Sequence, residues 1–232
     1  MKLRARIAHL LGRKYKKSYS QCGEDIIMQS LLSTLDIKHP SYIEIGTNTP
    51  IAKNNTYLFY STGSRGVCIE PDPLLFKEIQ HVRKHDICLN VGIGPSSQES
   101  APYYVMSSKA LSTFLKSEAD AYVRDQNYGK QVIEQVLHIP LVTINSIMEK
   151  YFSTYGDILS IDTEGYDSEI LKSLDFKQYR PKIICVETAR YEGTTLTKET
   201  ELIDFLKTQD YVVYADTFIN SILVDKHIYS FS

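Results

Sequence analysis

The chain has 232 residues, 43% hydrophobic and 23% charged, a balance that supports a packed core and excludes a disordered chain. No run approaches the ~20 continuous apolar residues of a membrane-spanning helix, and the four cysteines lack the C-x-x-C spacing of a zinc or redox site. The net charge of −2 divides unevenly, with seven basic residues and no acid in 1–23 and −9 on the remainder; an acidic body without a basic stripe argues against nucleic acid as substrate.

Lys2, Arg4, Arg6, Arg13, Lys14, Lys16 and Lys17 define a basic N-terminal arm over residues 1–19. With Ile7, Leu10 and Leu11 as a weak apolar face, it suits a peripheral membrane surface, a phosphorylated substrate or a partner, and equally a solvated terminus. Its apolar part is short and lacks a small-residue cleavage site, so no signal peptide is read and a cytoplasmic location is expected. Residues 20–232 are expected to form one domain.

Helical spacing of Ile26, Ile27, Met28, Leu31, Leu32 and Leu35 predicts a first helix over 24–35. A short strand over 41–46 follows, then a helix over 54–60, a strand over 66–70, a helix over 73–82 begun by a proline, and a strand over 86–91. Residues 92–145 break the alternation. They read as an inserted lid, with strands at 101–106 and 136–143 around a polar helix at 117–126. Alternation resumes with strands at 157–161 and 182–187 and helices at 166–174 and 198–208. Two closing strands, 211–215 and 221–224, suit an antiparallel edge. The whole predicts an α/β fold, a Rossmann-like seven-stranded mostly parallel sheet with right-handed crossovers.

In such a sheet, ligands lie beyond the carboxyl ends of the strands. The residues placed there are Glu44, Gly46, Glu70, Asn90, Asp162 and Glu187. Four are carboxylates on otherwise apolar strands, a costly arrangement that folding does not require. Gly46 permits a close backbone approach, but the turn lacks the full G-x-G-x-x-G that a pyrophosphate needs. That weighs against a nicotinamide dinucleotide and favours S-adenosylmethionine, which carries no phosphate. Glu70, about 24 residues after Gly46, is placed to accept both ribose hydroxyls. Asp162 faces the donor as the candidate base; the second expectation is that it ligates a divalent cation with Glu164 or Glu187. His138 is a further base if the lid folds over the site. Tyr103, Tyr104, Tyr122 and Tyr128 offer stacking faces for a sugar or serve simply as sheet and core residues.

Three stretches then resemble the FkbM family of S-adenosylmethionine-dependent methyltransferases. They are Ser20-Gln-Cys-Gly-Glu-Asp25; Tyr42-Ile-Glu-Ile-Gly-Thr-Asn48 with Asn54 to Phe59 and Gly66 to Pro71; and Leu159 to Leu171 around Ile-Asp-Thr-Glu-Gly. The resemblance implies that Glu44, Gly46 and Asn48 form the cofactor loop, that Glu70 is the ribose acid, and that Asp162 and Glu164 belong to the catalytic region. It also implies O-methylation of a sugar or small natural product. Glu44 stands where many members have Asp, and Thr49-Pro50 replaces a second small residue. A methyltransferase acting on phosphate, amine or carboxylate, and a non-catalytic binding protein, are the alternatives.

Overall fold

The computed structural model describes residues 16–192 and 195–229. Most of the basic arm lies outside them. The chain order is α1 (Glu24–Thr34), β1 (Tyr42–Ile45), α2 (Tyr57–Ser61), β2 (Gly66–Ile69), α3 (Pro73–Val82), β3 (Ile87–Leu89), β4 (Gly92–Ile93) and β5 (Gln98–Met106). It continues with α4 (Lys116–Arg124), β6 (Ile133–Val142), α5 (Ile144–Tyr155), β7 (Ile158–Ile161), α6 (Asp167–Ser173), β8 (Ile183–Glu187), β9 (Ala189–Glu192), β10 (Thr195–Lys198), α7 (Thr200–Thr208), β11 (Tyr211–Asp216) and β12 (Asn220–Asp225).

Seven strands form one sheet in the order β11-β12-β8-β7-β1-β2-β3. Its pairings are parallel except those of β12, which runs against both β8 and β11. This is the expected architecture, consistent with a class I methyltransferase fold. The reversed strand is not the outermost one, however. It slots inside β11, which keeps the common direction.

Strand alternation sends successive side chains of each strand to different cores. Ile43, Ile45, Leu159, Ile161, Ile184 and Val186 pack with residues of α5, α6 and α7, while Tyr42, Cys68, Ile158, Ile183 and Cys185 pack with residues of α1, α2 and α3. Both faces are covered, which is why the central strands read as continuous apolar runs. Among the described residues no helix is long and apolar enough to cross a membrane.

The 92–145 stretch builds a second sheet, ordered β4-β6-β5. The antiparallel β5–β6 pair and intervening helix match the sequence expectation in kind, but both strands start earlier than 101 and 136. Four elements are additional to that expectation, β4, β9, β10 and α5. Strand β4 has only two residues, and the β9–β10 hairpin is polar, so neither gives a pattern. Helix α5 does carry a helical stripe, with Ile144, Ile147, Met148 and Tyr151 buried, and Thr143 caps it by accepting from the Ser146 N–H. The predicted helix at 54–60 begins three residues late. The Asn54 side chain accepts from the Thr56 and Tyr57 N–H groups and takes the capping place.

Arg83, fully buried at the end of α3, ties these pieces together. Its Nε contacts Asp86 at 2.7 Å, Nη1 donates to Asn54 Oδ1 at 3.1 Å, and Nη2 donates to the Tyr42 hydroxyl at 3.0 Å and to Thr56 Oγ1 at 2.8 Å. Asp86 also accepts from the Gly66 N–H and the Tyr42 hydroxyl. A buried pair that loses one member leaves the other charge unpaired, at a cost of about 3–5 kcal/mol. Arg83→Leu should therefore lower stability by about that amount and the melting temperature by roughly 10 °C. Thermal and urea unfolding check this, and a loss below about 1 kcal/mol would contradict the role given to the network.

Candidate active site

A cleft of about 880 Å³ opens at the carboxyl ends of β1, β2, β7 and β8, with the inserted segment along one side. Gly46, Asn48, Glu70, Asp162, Glu164 and Glu187 all line it. These residues are far apart in the chain, and parallel strand pairing brings their ends into one plane.

Gly46 has φ 78°, and a Cβ there would lie 1.7 Å from the Asp162 carbonyl oxygen. The glycine is thus required where the chains leaving β1 and β7 pass each other, and the Asp162 N–H donates to the Ile45 carbonyl beside it. Its first duty is this crossing, which holds Asp162 at the cleft. Asn48 also has positive φ, 55°, and its backbone N–H donates to Glu70 Oε2 at 2.7 Å. The Asp72 N–H donates to the other oxygen, Oε1, at 2.8 Å.

A carboxylate has about four acceptor positions, so Glu70, though buried, keeps capacity on both oxygens toward the cleft. Burial, reinforced by Asp72 and Asp162 and opposed by the two N–H donors, pushes its pKa up to about 7. Asp72, not Glu70, caps α3, accepting from Leu74 N at 2.7 Å. That leaves Glu70 uncommitted to helix formation, with its carboxylate at the cleft.

Two of the strand-end residues do not line the cleft. Glu44 is 3% exposed and points to the other face of β1. There it accepts from Asn54 Nδ2 at 3.0 Å and Thr56 Oγ1 at 2.9 Å and lies 3.8 Å from Arg83 Nη1. It occupies the penultimate position of its strand, so alternation turns it away from the neighbours that end at the ligand side. Asn90 donates through Nδ2 to the carbonyls of Glu70 and Pro71, both at 2.8 Å, and so pins the loop that carries Glu70. His138 is exposed on β6 and is not among the residues lining the cleft.

The third site residue group is the loop from Asp162 to Asp167. Glu164 has φ 53° and Gly165 φ 122°, left-handed backbone that a short turn into α6 requires. Asp167, buried and absent from the sequence-selected set, accepts from the N–H groups of Thr163 at 3.0 Å and Gly165 at 3.4 Å and holds the turn. Carboxylate oxygens of Asp162, Glu164 and Glu187 lie within 4.8 Å of one another, a spacing that a hard, oxygen-liganded cation can bridge.

Burial and the Asp167 charge raise Asp162 to about 7. Burial and Asp162 raise Glu164 well above the usual range, and burial with Asp162 and Glu164 does the same to Glu187. Clustered acids on one cleft wall are a means of holding a group that gives up a proton or carries positive charge.

The sequence reading did not single out the lid contacts. Tyr122 was noted only as an aromatic, yet its hydroxyl donates to Glu164 Oε2 at 2.5 Å, and Thr113 Oγ1 donates to the Glu164 carbonyl at 2.8 Å. Tyr103, Tyr122 and Tyr128 line the cleft, and Tyr104 does not.

Comparison with known proteins yields one family: the methyltransferase FkbM domain matches residues 44–213. No curated protein and no solved structure matches the chain. The matched segment runs from β1 into β11 and contains all eight sequence-selected site residues. With a sheet order and an acid-lined cleft that suit it, the chain belongs to the FkbM methyltransferases, whose methyl donor is S-adenosylmethionine.

Proposed function

We propose that the chain transfers a methyl group to a hydroxyl of a sugar or small natural product, in glycan or secondary-metabolite assembly. The observation that carries this reading is the place of Asp162, at the carboxyl end of β7 in the cleft wall with carboxylate oxygens of Glu164 and Glu187 within 4.8 Å, where burial pushes its pKa up to about 7. A hydroxyl is a poor nucleophile until a positioned base takes its proton, and a base is most useful when its pKa is near the working pH. The bound donor supplies an electrophilic methyl on a sulfonium. The chain then has to align the acceptor oxygen with it and remove the proton.

In this reading Glu70 holds the ribose, with Asn48, Asp72 and Asn90 fixing its place. Asp162 accepts the acceptor's proton. Glu187 and Glu164 keep the proton within the cluster, since neighbouring carboxylates resist carrying full charge together. The inserted β5–β6 sheet and α4 supply the aromatic wall on the acceptor side. A divalent cation bound by the three acids would serve the same end by polarising the hydroxyl, and magnesium titration of turnover tests it.

An amine acceptor is the second reading. The cleft is lined by many more acids than lysines, with Glu118, Asp125 and Glu169 adding to the strand-end set, and that surplus favours a cation. It disfavours the phosphate and carboxylate acceptors. A non-catalytic role would require that the protein fail to bind the donor.

Glu70→Ala should weaken S-adenosylhomocysteine binding by about tenfold or more, as loss of paired hydrogen bonds to a charged group implies, while Asp162→Asn should retain affinity within about threefold and lower kcat by about 10²–10⁴. Calorimetry and turnover against a panel of sugars and amines measure both. Equal affinity in wild type and Glu70→Ala would remove the ribose role.

Two pH dependences follow. Asp162 must lose its proton to act, so kcat should rise through pH ~7 and level above it, and a flat profile over pH 5–9 would contradict it as base. Glu70 and Asp162 hold their protons more tightly folded than unfolded. The stability of the ligand-free protein should therefore fall as pH rises from about 4 toward 8. Carboxyls with lowered pKa, such as Asp157 and Asp225, act oppositely but lose their contribution only below about pH 4. Melting temperatures at pH 5 and 8 decide the sign.

A further inference from the structure

The inserted segment touches the Asp162–Asp167 loop at three points. Thr113 bonds the Glu164 backbone, Tyr122 bonds its side chain, and a Cβ on Gly165 would lie 2.9 Å from Leu115 Cδ1 and 3.0 Å from Glu118 Cγ. Helix α4 is thus docked directly against the loop, with no space between. Tyr122 is only 7% exposed, and its ring is set before it meets Glu164. It packs with Met106 and Ala119 and meets Tyr128 edge-on, ring centroids 4.7 Å apart at 73°. A hydroxyl on a ring fixed this firmly dictates where its acceptor sits. Glu164 needs such direction, because it lies in left-handed backbone beside a glycine, a conformation a side chain does not choose unaided.

We propose that Tyr122 is a positioning residue for the reaction: its hydroxyl holds Glu164 beside Asp162 and Glu187, so that the acid cluster is complete only while α4 is docked. The inference rests on the reading of this cluster as the reaction site. The inserted segment is then part of the working site as well as a cover over the acceptor. The groups facing Glu164 are Asp162, Asp167, Glu187, Glu118 and Tyr122, and of these the tyrosine hydroxyl is the donor that its carboxyl receives. Losing that donor should let Glu164 swing out of register without disturbing Glu70 or the donor half of the cleft.

The test is a double-mutant cycle of Tyr122→Phe and Glu164→Ala, with Glu164→Gln as the conservative variant. Phenylalanine keeps the ring packing and removes only the hydroxyl. Tyr122→Phe should lower kcat by about tenfold to a hundredfold, the usual effect of a small displacement of a reacting group. KM and S-adenosylhomocysteine affinity should stay within about threefold. Hydrogen exchange over residues 116–124 should quicken by about tenfold, as loss of a buried hydrogen bond implies. The double variant should be no worse than Glu164→Ala alone, and Glu164→Gln, which keeps an acceptor oxygen, should retain the exchange protection.

Additive losses in kcat, or an unchanged kcat in Tyr122→Phe, would overturn the proposal. So would parallel losses of kcat, donor affinity and melting temperature, the pattern of a merely structural tyrosine. The exchange and affinity measurements need no acceptor. Wild-type protein that fails to bind S-adenosylhomocysteine would overturn the functional reading, while uncoupled exchange in a donor-binding protein would overturn this one.

Discussion

Arg83 stands where α3 ends, and its guanidinium reaches back under the sheet to Asp86, Tyr42, Asn54, Thr56 and Glu44. Those partners come from β1, the loop after it and the turn into β3. A single cation therefore fixes how the first two strand–helix crossovers lie against each other. Its desolvation is offset only because nearly every donor has an acceptor in place. Once Arg83 is bonded in this way, Glu44 is a satisfied acid of the interior. The loop from Thr47 to Thr56 is held at both ends, and Asn48 is left where its N–H meets Glu70.

The acids on the cleft side have no such cation among the described residues. Among the described residues, Glu70, Asp162, Glu164 and Glu187 enter no ion pair with lysine or arginine. They are held by backbone N–H groups, a tyrosine and one another. Among the described residues there are thus two groups of buried carboxylate, one paired with Arg83 and one lining the cleft without a lysine or arginine partner. Stability given up at the second set is the ordinary accompaniment of a site built to work with protons or positive charge.

Much of this was legible in the sequence, and the part that was not has a physical reason. Alternation of apolar runs with helical stripes specified the sheet and its two covered faces. The acids at strand ends stood out because folding gives no reason for them. Glu44 was grouped with them because position along a strand is readable while facing is not. Its partner Arg83 lies 39 positions later, where no local pattern links the two. Gly46 was read as room for a ligand, but the atom it makes room for is the Asp162 carbonyl, 116 positions on. Helix α5 was different: its stripe at 144, 147, 148 and 151 was present, and the interruption before it masked the resumed period.

The inserted segment shows the limit most clearly. Its composition marked it as separate from the alternating units, and its tyrosines suggested contact surfaces. Nothing in the sequence paired Tyr122 with Glu164 across 42 positions. In a parallel sheet the catalytic ends all face one way, so whatever covers that end must come from an insertion or a terminal segment. The insertion after β3 fills that place with α4, and the β9–β10 hairpin after β8 brings Ala189 and Leu196 to the other side of the cleft. Glu70 and Asp162 stand at the ends of regular strands and are fixed there by the Asn48 and Asp72 N–H groups and by the Gly46 crossing. The irregular units pack against the acid loop, where Tyr122 and Thr113 hold Glu164. A change in α4 therefore bears on the order of the acid cluster, because Tyr122 is the contact of that helix with the Glu164 carboxyl.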